Sequence, residues 1–224
     1  VDRLKELRGI ELDKNAFTIV LARRFASYKR LGHFLLGLED WRALGAETYE
    51  EGLLPELITE AERLGIRIQV VFAGKAHPRD QWGRETIAKI VDATRAFPGH
   101  VFFVPNYDMA VAQCLTQLAS VWQNNPIPPK EASGTSGMKA IANGVHNVST
   151  FDGWIPEADQ ETVSVFETRS DLLRIYAGSY QRGERTYQAL DGETRTTTTD
   201  IGLLDMYAHH PDRCAALMRQ TLYD

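Results

Sequence analysis

Short runs of consecutive apolar residues recur along the first two thirds of the chain. They span residues 17–22, 68–73, 101–104, 120–122 and 145–148. A strand that is buried on both faces is apolar at successive positions, whereas a strand with one exposed face alternates between apolar and polar residues. The pattern therefore predicts five strands buried inside a sheet.

Amphipathic segments separate these runs. Apolar residues recur at helical spacing over 54–64 and over 87–94, and Phe97-Pro98-Gly99 ends the second of these helices. Segments 1–8 and 109–118 are also predicted to be helical. The alternation predicts an α/β fold, an open parallel Rossmann-like sheet with helices on both faces. Ligands of such folds bind outside the carboxyl ends of the strands, so the residues that follow each apolar run are the candidates for function.

The last quarter of the chain has a different pattern. Residues 168–224 have few strand signals and are predicted to form a helical tail, with helices over 203–207 and 214–222. The polar segment 195–200 is predicted to be a loop that ends in a helix cap at Thr199 or Asp200. No strong domain boundary is visible, so we expect residues 1–224 to form one α/β domain. The charge-rich helix over 1–8 looks like part of a longer one, and we expect the chain to be a fragment.

Composition narrows the class of function. With 224 residues, 43% of them hydrophobic, and a formal net charge of −5, the chain suits a globular protein and not a nucleic-acid-binding platform. No apolar run reaches the roughly 18 residues of a membrane span. Cys114, Cys214 and the pair His209-His210 lack the spacing of metal ligands. We therefore predict two buried thiols, no metal site and a cytoplasmic location.

Four cationic residues follow the first apolar run within eight positions. They are Arg23, Arg24, Lys29 and Arg30. One guanidinium group can bind two phosphate oxygens at once, and an ammonium group supplies a compact positive charge. These residues are therefore suited to binding one or two phosphate groups. A solvated run of charges is the alternative that residue type leaves open. The position at the end of a predicted strand favours a phosphate site.

Two further strand ends have candidate residues. Gly74-Lys75-Ala76 lacks the earlier glycine and the Ser or Thr of a nucleotide-hydrolysing P-loop, which excludes that class and leaves a tight turn with one lysine. Tyr107 follows the third run and is suited to stacking on a ligand or bonding to it. Taken alone, an aromatic residue at a strand end is more often part of the core.

Residues 124–144 form the most informative segment. The prolines favour an extended approach, and residues 133–137 are predicted to form a turn of small residues that leads into a helix ended by Gly144. Such a turn exposes backbone amides at the amino end of a helix, where anions bind. Lys139 follows Glu131 by eight positions, about two helical turns, so both can face one pocket. A glycine-rich loop with a surface lysine is the alternative.

The sequence Glu131-Ala-Ser-Gly-Thr-Ser-Gly-Met-Lys139 closely resembles the pyridoxal-phosphate attachment motif of glycogen phosphorylase and the other α-glucan phosphorylases. The resemblance covers residues 17–157 and is most specific over 131–144. Four further segments agree in the family's order: Arg23-Arg24 with Tyr28-Lys29-Arg30, Gly74-Lys75-Ala76, Asn106-Tyr107, and Asp152-Gly153 with Glu157.

The resemblance implies a cofactor site. Lys139 would carry pyridoxal 5'-phosphate on its amine, and Tyr107 would lie against the cofactor. Arg23 stands where the family has a lysine that contacts the cofactor phosphate, a change that keeps the charge and alters the geometry. The backbone amides of Gly134 and Thr135 would add hydrogen-bond donors to the phosphate.

The same resemblance implies a substrate site. Arg24 and Lys29 would hold the substrate phosphate and the adjoining cofactor phosphate. Glu131, Ser133 and Gly134 would form hydrogen bonds to the transferred glucosyl unit. The implied reaction transfers a terminal α-1,4-linked glucosyl unit of a glucan to inorganic phosphate and gives glucose 1-phosphate. The residues that the resemblance makes catalytic are Lys139, Arg24, Lys29 and Glu131.

The resemblance also bears on partners. Phosphorylases of this family have their site in a cleft between two α/β domains, and 224 residues supply only the second, carboxy-terminal one. The amino-terminal domain of the same enzyme is therefore an expected partner, and the isolated chain is expected to be inactive. A homodimer is among the assemblies that the resemblance allows.

The sequence departs from the animal and yeast enzymes at three places. Asp108 stands where those enzymes carry a basic residue, Ser136-Gly137 replaces their Gly-Asn, and Trp154-Ile155-Pro156 differs from theirs. The segments around Asn124 and Asp152 are more similar to the shorter bacterial branch. We therefore expect the regulatory apparatus of the animal enzyme to be absent.

Two other functions remain open on the sequence. A retaining nucleotide-sugar glycosyltransferase such as glycogen synthase has a related fold and a second glutamate where this chain has Lys139, and this difference favours the phosphorylase. The other alternative is a glucan-binding remnant that keeps the loop without catalysis, since no family segment is recognised after Glu157.

Overall fold

A six-stranded parallel sheet forms the centre of the computed structural model, which describes residues 1–38, 52–158, 162–167, 169–177, 185–188, 194–197 and 203–209. Its spatial order is β3-β2-β1-β4-β5-β6. Every neighbouring pair is parallel. The strands are β1 (Phe17–Ala22), β2 (Ile68–Ala73), β3 (Val101–Val104), β4 (Val121–Asn124), β5 (His146–Ser149) and β6 (Val163–Val165).

Helices connect the strands, and a small hairpin follows the sheet. The helices are α1 (Asp2–Arg8), α2 (His33–Leu36), α3 (Leu54–Arg63), α4 (Gln81–Ala96), α5 (Met109–Leu118), α6 (Thr135–Ile141), α7 (Arg169–Ala177) and α8 (Leu203–His209). The antiparallel hairpin pairs β7 (Arg185–Gln188) with β8 (Thr194–Thr197). Within the described ranges, every helix is too short or too polar to cross a lipid bilayer.

Both faces of the sheet are covered, as the continuous apolar runs predict. All six residues of β1 and all six of β2 are buried. Ile19 and Leu21 belong to one hydrophobic cluster, whereas Val20 and Ala22 belong to another. Successive residues of a strand point to opposite faces, so the two clusters lie on opposite sides of the sheet. The predicted α/β fold with an open parallel sheet is confirmed.

Some predicted boundaries were wrong. The runs over 120–122 and 145–148 became strands over Val121–Asn124 and His146–Ser149, and β6 was not predicted because its apolar signal is only Val163 and Val165 around a serine. In the predicted helical tail, α7 and α8 are helical, but the hairpin lies between them. The first three residues of the segment predicted as a polar loop belong to β8. Thr199, Asp200 and the predicted helix over 214–222 lie outside the described residues.

Hydrogen bonds between buried polar side chains join α7, in the predicted helical tail, to the sheet. The hydroxyl of Tyr176, on α7, donates to Gln123 Oε1 at 2.7 Å. Gln123 Nε2 in turn donates to Asn125 Oδ1 at 3.0 Å. All three side chains are 0% exposed. Buried polar groups must be hydrogen-bonded to one another when water is excluded, so these two hydrogen bonds fix α7 against the end of β4.

Replacing Tyr176 with Phe should lower the free energy of unfolding by about 1–3 kcal/mol, because Gln123 then loses a buried partner. Tyr207→Phe is the matched control. Both tyrosine rings pack edge-on against Phe17, but the Tyr207 hydroxyl forms an exposed bond to Asn15 O at 3.4 Å. The control should change stability by less than about 0.5 kcal/mol. Urea unfolding followed by circular dichroism measures the free energy of unfolding of both variants. Equal losses of stability would contradict the role of the buried hydrogen bonds.

Candidate functional site

The loops after β1 and β2 are held together beyond the ends of the strands. Phe25 N donates to Lys75 O at 3.0 Å, which continues the parallel pairing as an isolated bridge between Phe25 and Ala76. A Cβ on Gly74 would lie 1.9 Å from the carbonyl oxygen of Arg23. A glycine is therefore required at position 74 for the two loops to approach this closely.

Arg23 and Arg24 have different environments, although the resemblance gives both of them phosphate contacts. Arg23 is 8% exposed, and its Nη2 donates to Gln123 O at 3.2 Å and to Asn124 Oδ1. The guanidinium of Arg23 therefore joins the end of β1 to the end of β4. Arg24 is exposed at the edge of the sheet.

The rest of the basic segment is fixed against the chain that leaves β4. A single 3-10 turn covers Ser27–Lys29. Ile127 N donates to Tyr28 O at 2.8 Å. The guanidinium of Arg30 donates through Nε to Asn125 O at 2.8 Å and through Nη2 to Pro126 O at 3.1 Å. These backbone contacts determine where the intervening Lys29 side chain points.

Lys29 and Glu131 form an ion pair between the two segments. The Nζ of Lys29 lies 2.5 Å from Oε2 of Glu131, and the two side chains are 13% and 14% exposed. The ammonium also lies 4.9 Å from the centre of the Tyr28 ring. These residues are 102 positions apart in sequence, so the fold brings a predicted phosphate ligand into direct contact with a predicted sugar ligand.

Asp152, which follows β5, shapes the loop that carries Glu131. Its carboxylate accepts a hydrogen bond from Glu131 N at 2.9 Å and another from Gly153 N at 2.8 Å. Trp154 N donates to Ser133 O at 2.9 Å. Asp152 belongs to the family pattern, but the sequence alone assigned it no role. The signal available there was an Asp-Gly pair at the end of a buried strand, a pair typical of a tight turn.

The turn before α6 is shorter than predicted. Gly134 has a φ of 88° and directly precedes the helix, which starts at Thr135, so residues 135–137 are helical and not part of the turn. Ser133 and Thr135 are exposed. Glycine is favoured at position 134 because a left-handed backbone is strained for residues with a Cβ.

Gly137 allows two side chains to approach α6. A Cβ on Gly137 would lie 2.7 Å from Asn147 Oδ1 and 3.0 Å from Trp154 Nε1. Asn147 is 0% exposed, and its Nδ2 donates to the carbonyl of Gly137 at 3.3 Å. Two of the departures from the animal and yeast sequences, at positions 137 and 154, are therefore two sides of one packing contact.

Lys139 lies on the exposed side of α6. Gly137 and Ala140 lie on the other side of this helix, which faces the sheet. Its helix follows directly from the loop of Glu131. Tyr107 follows β3 and is half-buried against the second hydrophobic cluster, and burial raises the pKa of its hydroxyl. Because β3 is two strands from β1, Tyr107 leaves the sheet about 10 Å from the basic segment along the same edge.

Of the two histidines near the family segments, His77 follows β2 at the carboxyl edge of the sheet and His146 does not. Nδ1 of the exposed His77 accepts a local hydrogen bond from Arg79 N at 3.1 Å. His146 is the first residue of β5, at the opposite edge, where it bonds to Ser164 Oγ at 2.8 Å. Burial lowers the pKa of His146 to about 4, so the ring is neutral near pH 7. In the described part of the chain, no three His, Cys, Asp or Glu residues are grouped to hold a metal ion, and Cys114 is buried as predicted.

Replacing Gly153 with Ala should destabilise the protein by about 3–5 kcal/mol, because a side chain there combines backbone strain with a steric clash. Gly153 has a φ of 61°, and its Cβ would lie 2.3 Å from Ser133 O. Gly65→Ala is the control, since Gly65 has a φ of 72° with nothing within 4 Å of a Cβ. The control should cost about 1–2 kcal/mol. Urea unfolding of both variants gives the difference, and equal costs would show that the contact with Ser133 is unimportant.

Comparison with known proteins adds independent evidence. Maltodextrin phosphorylase of Thermococcus litoralis is 41% identical over 146 residues, which cover 64% of this chain and 16% of that protein. Glycogen phosphorylase of Aquifex aeolicus is 38% identical over 148 residues, 65% of this chain and 19% of that protein. Glycogen phosphorylase of Haemophilus influenzae is 28% identical over 233 residues, 98% of this chain and 27% of that protein.

These alignments therefore span less than a third of the length of each relative. The family model described as carbohydrate phosphorylase matches residues 1–195, a range that includes the whole six-stranded sheet and each residue of the candidate site. The chain accordingly belongs to the carbohydrate phosphorylase family.

Proposed function

We propose that this protein acts in an α-glucan phosphorylase, an enzyme that transfers a terminal α-1,4-linked glucosyl unit to inorganic phosphate and releases glucose 1-phosphate. The observation that carries the proposal is the ion pair between Lys29 and Glu131 at 2.5 Å, at the carboxyl edge of a parallel sheet. One partner has the chemistry to bind phosphate and the other to bind a sugar hydroxyl. Family membership and the two curated relatives with 38% and 41% identity support the same function.

The phosphate side of the site consists of cations from the segment after β1. Arg24 is exposed and so is available to a phosphate that enters from solvent, whereas Lys29 would exchange its contact with Glu131 for one with the phosphate. Arg23 adds a buried positive charge close by. Two phosphate groups side by side repel each other strongly unless cations surround them, and these three side chains meet that requirement.

The sugar side consists of the loop from Glu131 to Gly134. A carboxylate accepts hydrogen bonds from sugar hydroxyls, and Ser133 supplies a hydroxyl that both donates and accepts. Asp152 holds the backbone at Glu131, which keeps the carboxylate in one orientation. Glucosyl transfer develops positive charge on the sugar ring, and neighbouring anions stabilise that charge.

Pyridoxal phosphate is the cofactor that we propose for this site. The side-chain chemistry fits it, because α6 has an exposed primary amine at Lys139, the edge has an aromatic ring at Tyr107, and the basic segment includes Arg23. Gly134 precedes α6 without a side-chain cap, so the amides of Gly134 and Thr135 are open to an anion. When bound, the cofactor would supply a phosphate group that titrates near neutral pH and serves as acid and base.

A nucleotide-sugar glycosyltransferase fits the residues less well. In that class a glutamate stands at the position of Lys139 and contacts the donor sugar, and an ammonium cannot accept the same hydrogen bonds. A remnant that binds glucan without catalysis would not need the desolvated pair of Lys29 and Glu131, which is costly to bury. Both alternatives predict that no cofactor becomes attached to Lys139.

The site also needs a second wall. A glucan and a phosphate must be shielded from water on both sides, and ligand clefts of this kind form between domains. We propose that an amino-terminal α/β domain of the same enzyme supplies that wall, in line with relatives of which the aligned segments cover 16% and 19%. On this proposal the 224 residues alone do not turn over glucan.

Borohydride reduction of the protein after saturation with pyridoxal phosphate should attach the cofactor covalently to Lys139, because reduction makes a lysine linkage permanent. Mass spectrometry of the digested protein locates the adduct. Lys139→Arg should abolish it, whereas Lys75→Arg, at an exposed lysine of the same edge, should not. An adduct spread over several lysines, or none at saturation, would count against the cofactor.

In the complete natural protein, Lys29→Met should reduce kcat/KM for phosphate by about 100-fold or more, because the variant loses a cation and leaves Glu131 buried without its partner. Lys75→Met is the control and should change kcat/KM by less than about threefold. Release of glucose 1-phosphate from maltodextrin measures both. Similar effects of the two substitutions would refute the assignment of Lys29 to the phosphate site.

A further inference from the structure

Arg8, the last residue of α1, is bonded to the loop that follows β3. Its Nε donates to Pro105 O at 3.1 Å and its Nη2 to Asn106 O at 2.9 Å. Nη2 also lies 2.5 Å from Asp108 Oδ2, and the Arg8 side chain is 15% exposed. The remaining nitrogen, Nη1, donates to Leu7 O at 2.8 Å. Arg8 therefore joins the first helix of the chain to one end of the edge on which the candidate site lies.

Three of the four residues bonded to Arg8, all in the loop after β3, flank Tyr107. Asn106 has a φ of 52°, in the left-handed region that residues other than glycine rarely adopt. Asp108 accepts a hydrogen bond from Val111 N at 2.9 Å and so caps α5. The backbone on both sides of Tyr107 is thus restrained, and one planar guanidinium bonds to both sides.

This arrangement depends on the shape of arginine. A guanidinium presents several donors in a fixed plane, whereas a lysine ammonium is one compact point that cannot serve separated carbonyls in the same way. The hydrogen bond from Val111 N and the Arg8 guanidinium hold the pKa of Asp108 below its ordinary value. The carboxylate therefore stays ionised near neutral pH, and the pair with Arg8 persists.

The attachment of α1 itself does not require these bonds. Leu4 is 0% exposed and Leu12 is 3% exposed, and both belong to the second hydrophobic cluster together with residues of α5. Burying such side chains stabilises a segment by about as much as several surface hydrogen bonds. Apolar contacts therefore hold α1 in place, and the hydrogen bonds of Arg8 position the loop after β3.

We propose that Arg8 is a positioning residue, which sets the orientation of the Tyr107 ring through the backbone of residues 105–108. The inference rests on the proposed function, in which Tyr107 lies against the cofactor. It adds that α1, remote in sequence from the motif around Lys139, controls one wall of the same site.

Hydrogen exchange followed by mass spectrometry tests the first step in the complete natural protein. Arg8→Gln should speed exchange in peptides that contain Tyr107 by about tenfold, because local opening no longer breaks these bonds. Arg3→Gln, at an exposed position of the same helix, should leave exchange unchanged. Arg8→Lys should lie between them. Equal exchange in all four proteins would overturn the inference whether or not the enzyme is active.

A double-mutant cycle tests the second step. Arg8→Gln should lower kcat/KM for phosphorolysis by about tenfold, since small displacements of a contact residue are costly for rate, and Arg3→Gln should not. In a Tyr107→Leu background the same substitution should have almost no further effect, because Arg8 acts through Tyr107. The same cycle applied to the dissociation rate of pyridoxal phosphate gives a readout that does not depend on turnover.

The outcomes separate the two proposals. A wild-type protein that releases no glucose 1-phosphate contradicts the proposed function, and the exchange and cofactor-dissociation data then decide the role of Arg8 by themselves. An active wild type with additive effects of Arg8→Gln and Tyr107→Leu contradicts the inference alone. Non-additive effects with unchanged thermal stability support it, because a purely structural role would appear in stability and be independent of Tyr107.

Discussion

The candidate site depends on β1 and β4 being neighbours in the sheet. The chain adds β2 and β3 on one side of β1 and then returns to add β4 on the other side, so the loops after β1 and β4 leave the sheet in opposite directions and a crevice opens between them. The ion pair of Lys29 and Glu131 crosses this crevice at 2.5 Å. Backbone contacts with residues 125–127 place Lys29, whereas the carboxylate of Asp152 holds the backbone at Glu131.

Burial of this pair has an energetic consequence. Removing two charges from water costs several kcal/mol for each ion in effective terms, and their attraction roughly offsets that cost. Such a pair adds little to stability, but it keeps the two charged groups desolvated and close together. A ligand that offers an anion to Lys29 and hydroxyls to Glu131 can replace each partner with an equivalent contact, so the site is prepared for binding without large rearrangement.

Close approaches restrict which residues three positions in the loops and α6 can accommodate. Gly74 contacts the backbone of Arg23, Gly153 that of Ser133, and Gly137 the side chains of Asn147 and Trp154. The last of these relates two differences from the animal and yeast enzymes to a single packing contact. Asp108 is a third difference, and it serves as a helix cap and as the partner of Arg8. Differences in sequence that look independent thus have local structural reasons.

The sequence by itself determined the parallel α/β architecture, because strands buried on both faces must be apolar throughout, and it determined the segments that surround the site. It could not predict β6 or the hairpin, because strands this short have weak sequence signals and form only where a neighbour offers free backbone groups. The roles of Asp152 and Arg8 were also invisible, since each acts on backbone atoms remote in sequence. Tertiary structure decided these features because a hydrogen bond to the backbone depends on where that backbone lies in space. Backbone groups are nearly the same for every residue type, so the sequence gives almost no sign of such bonds.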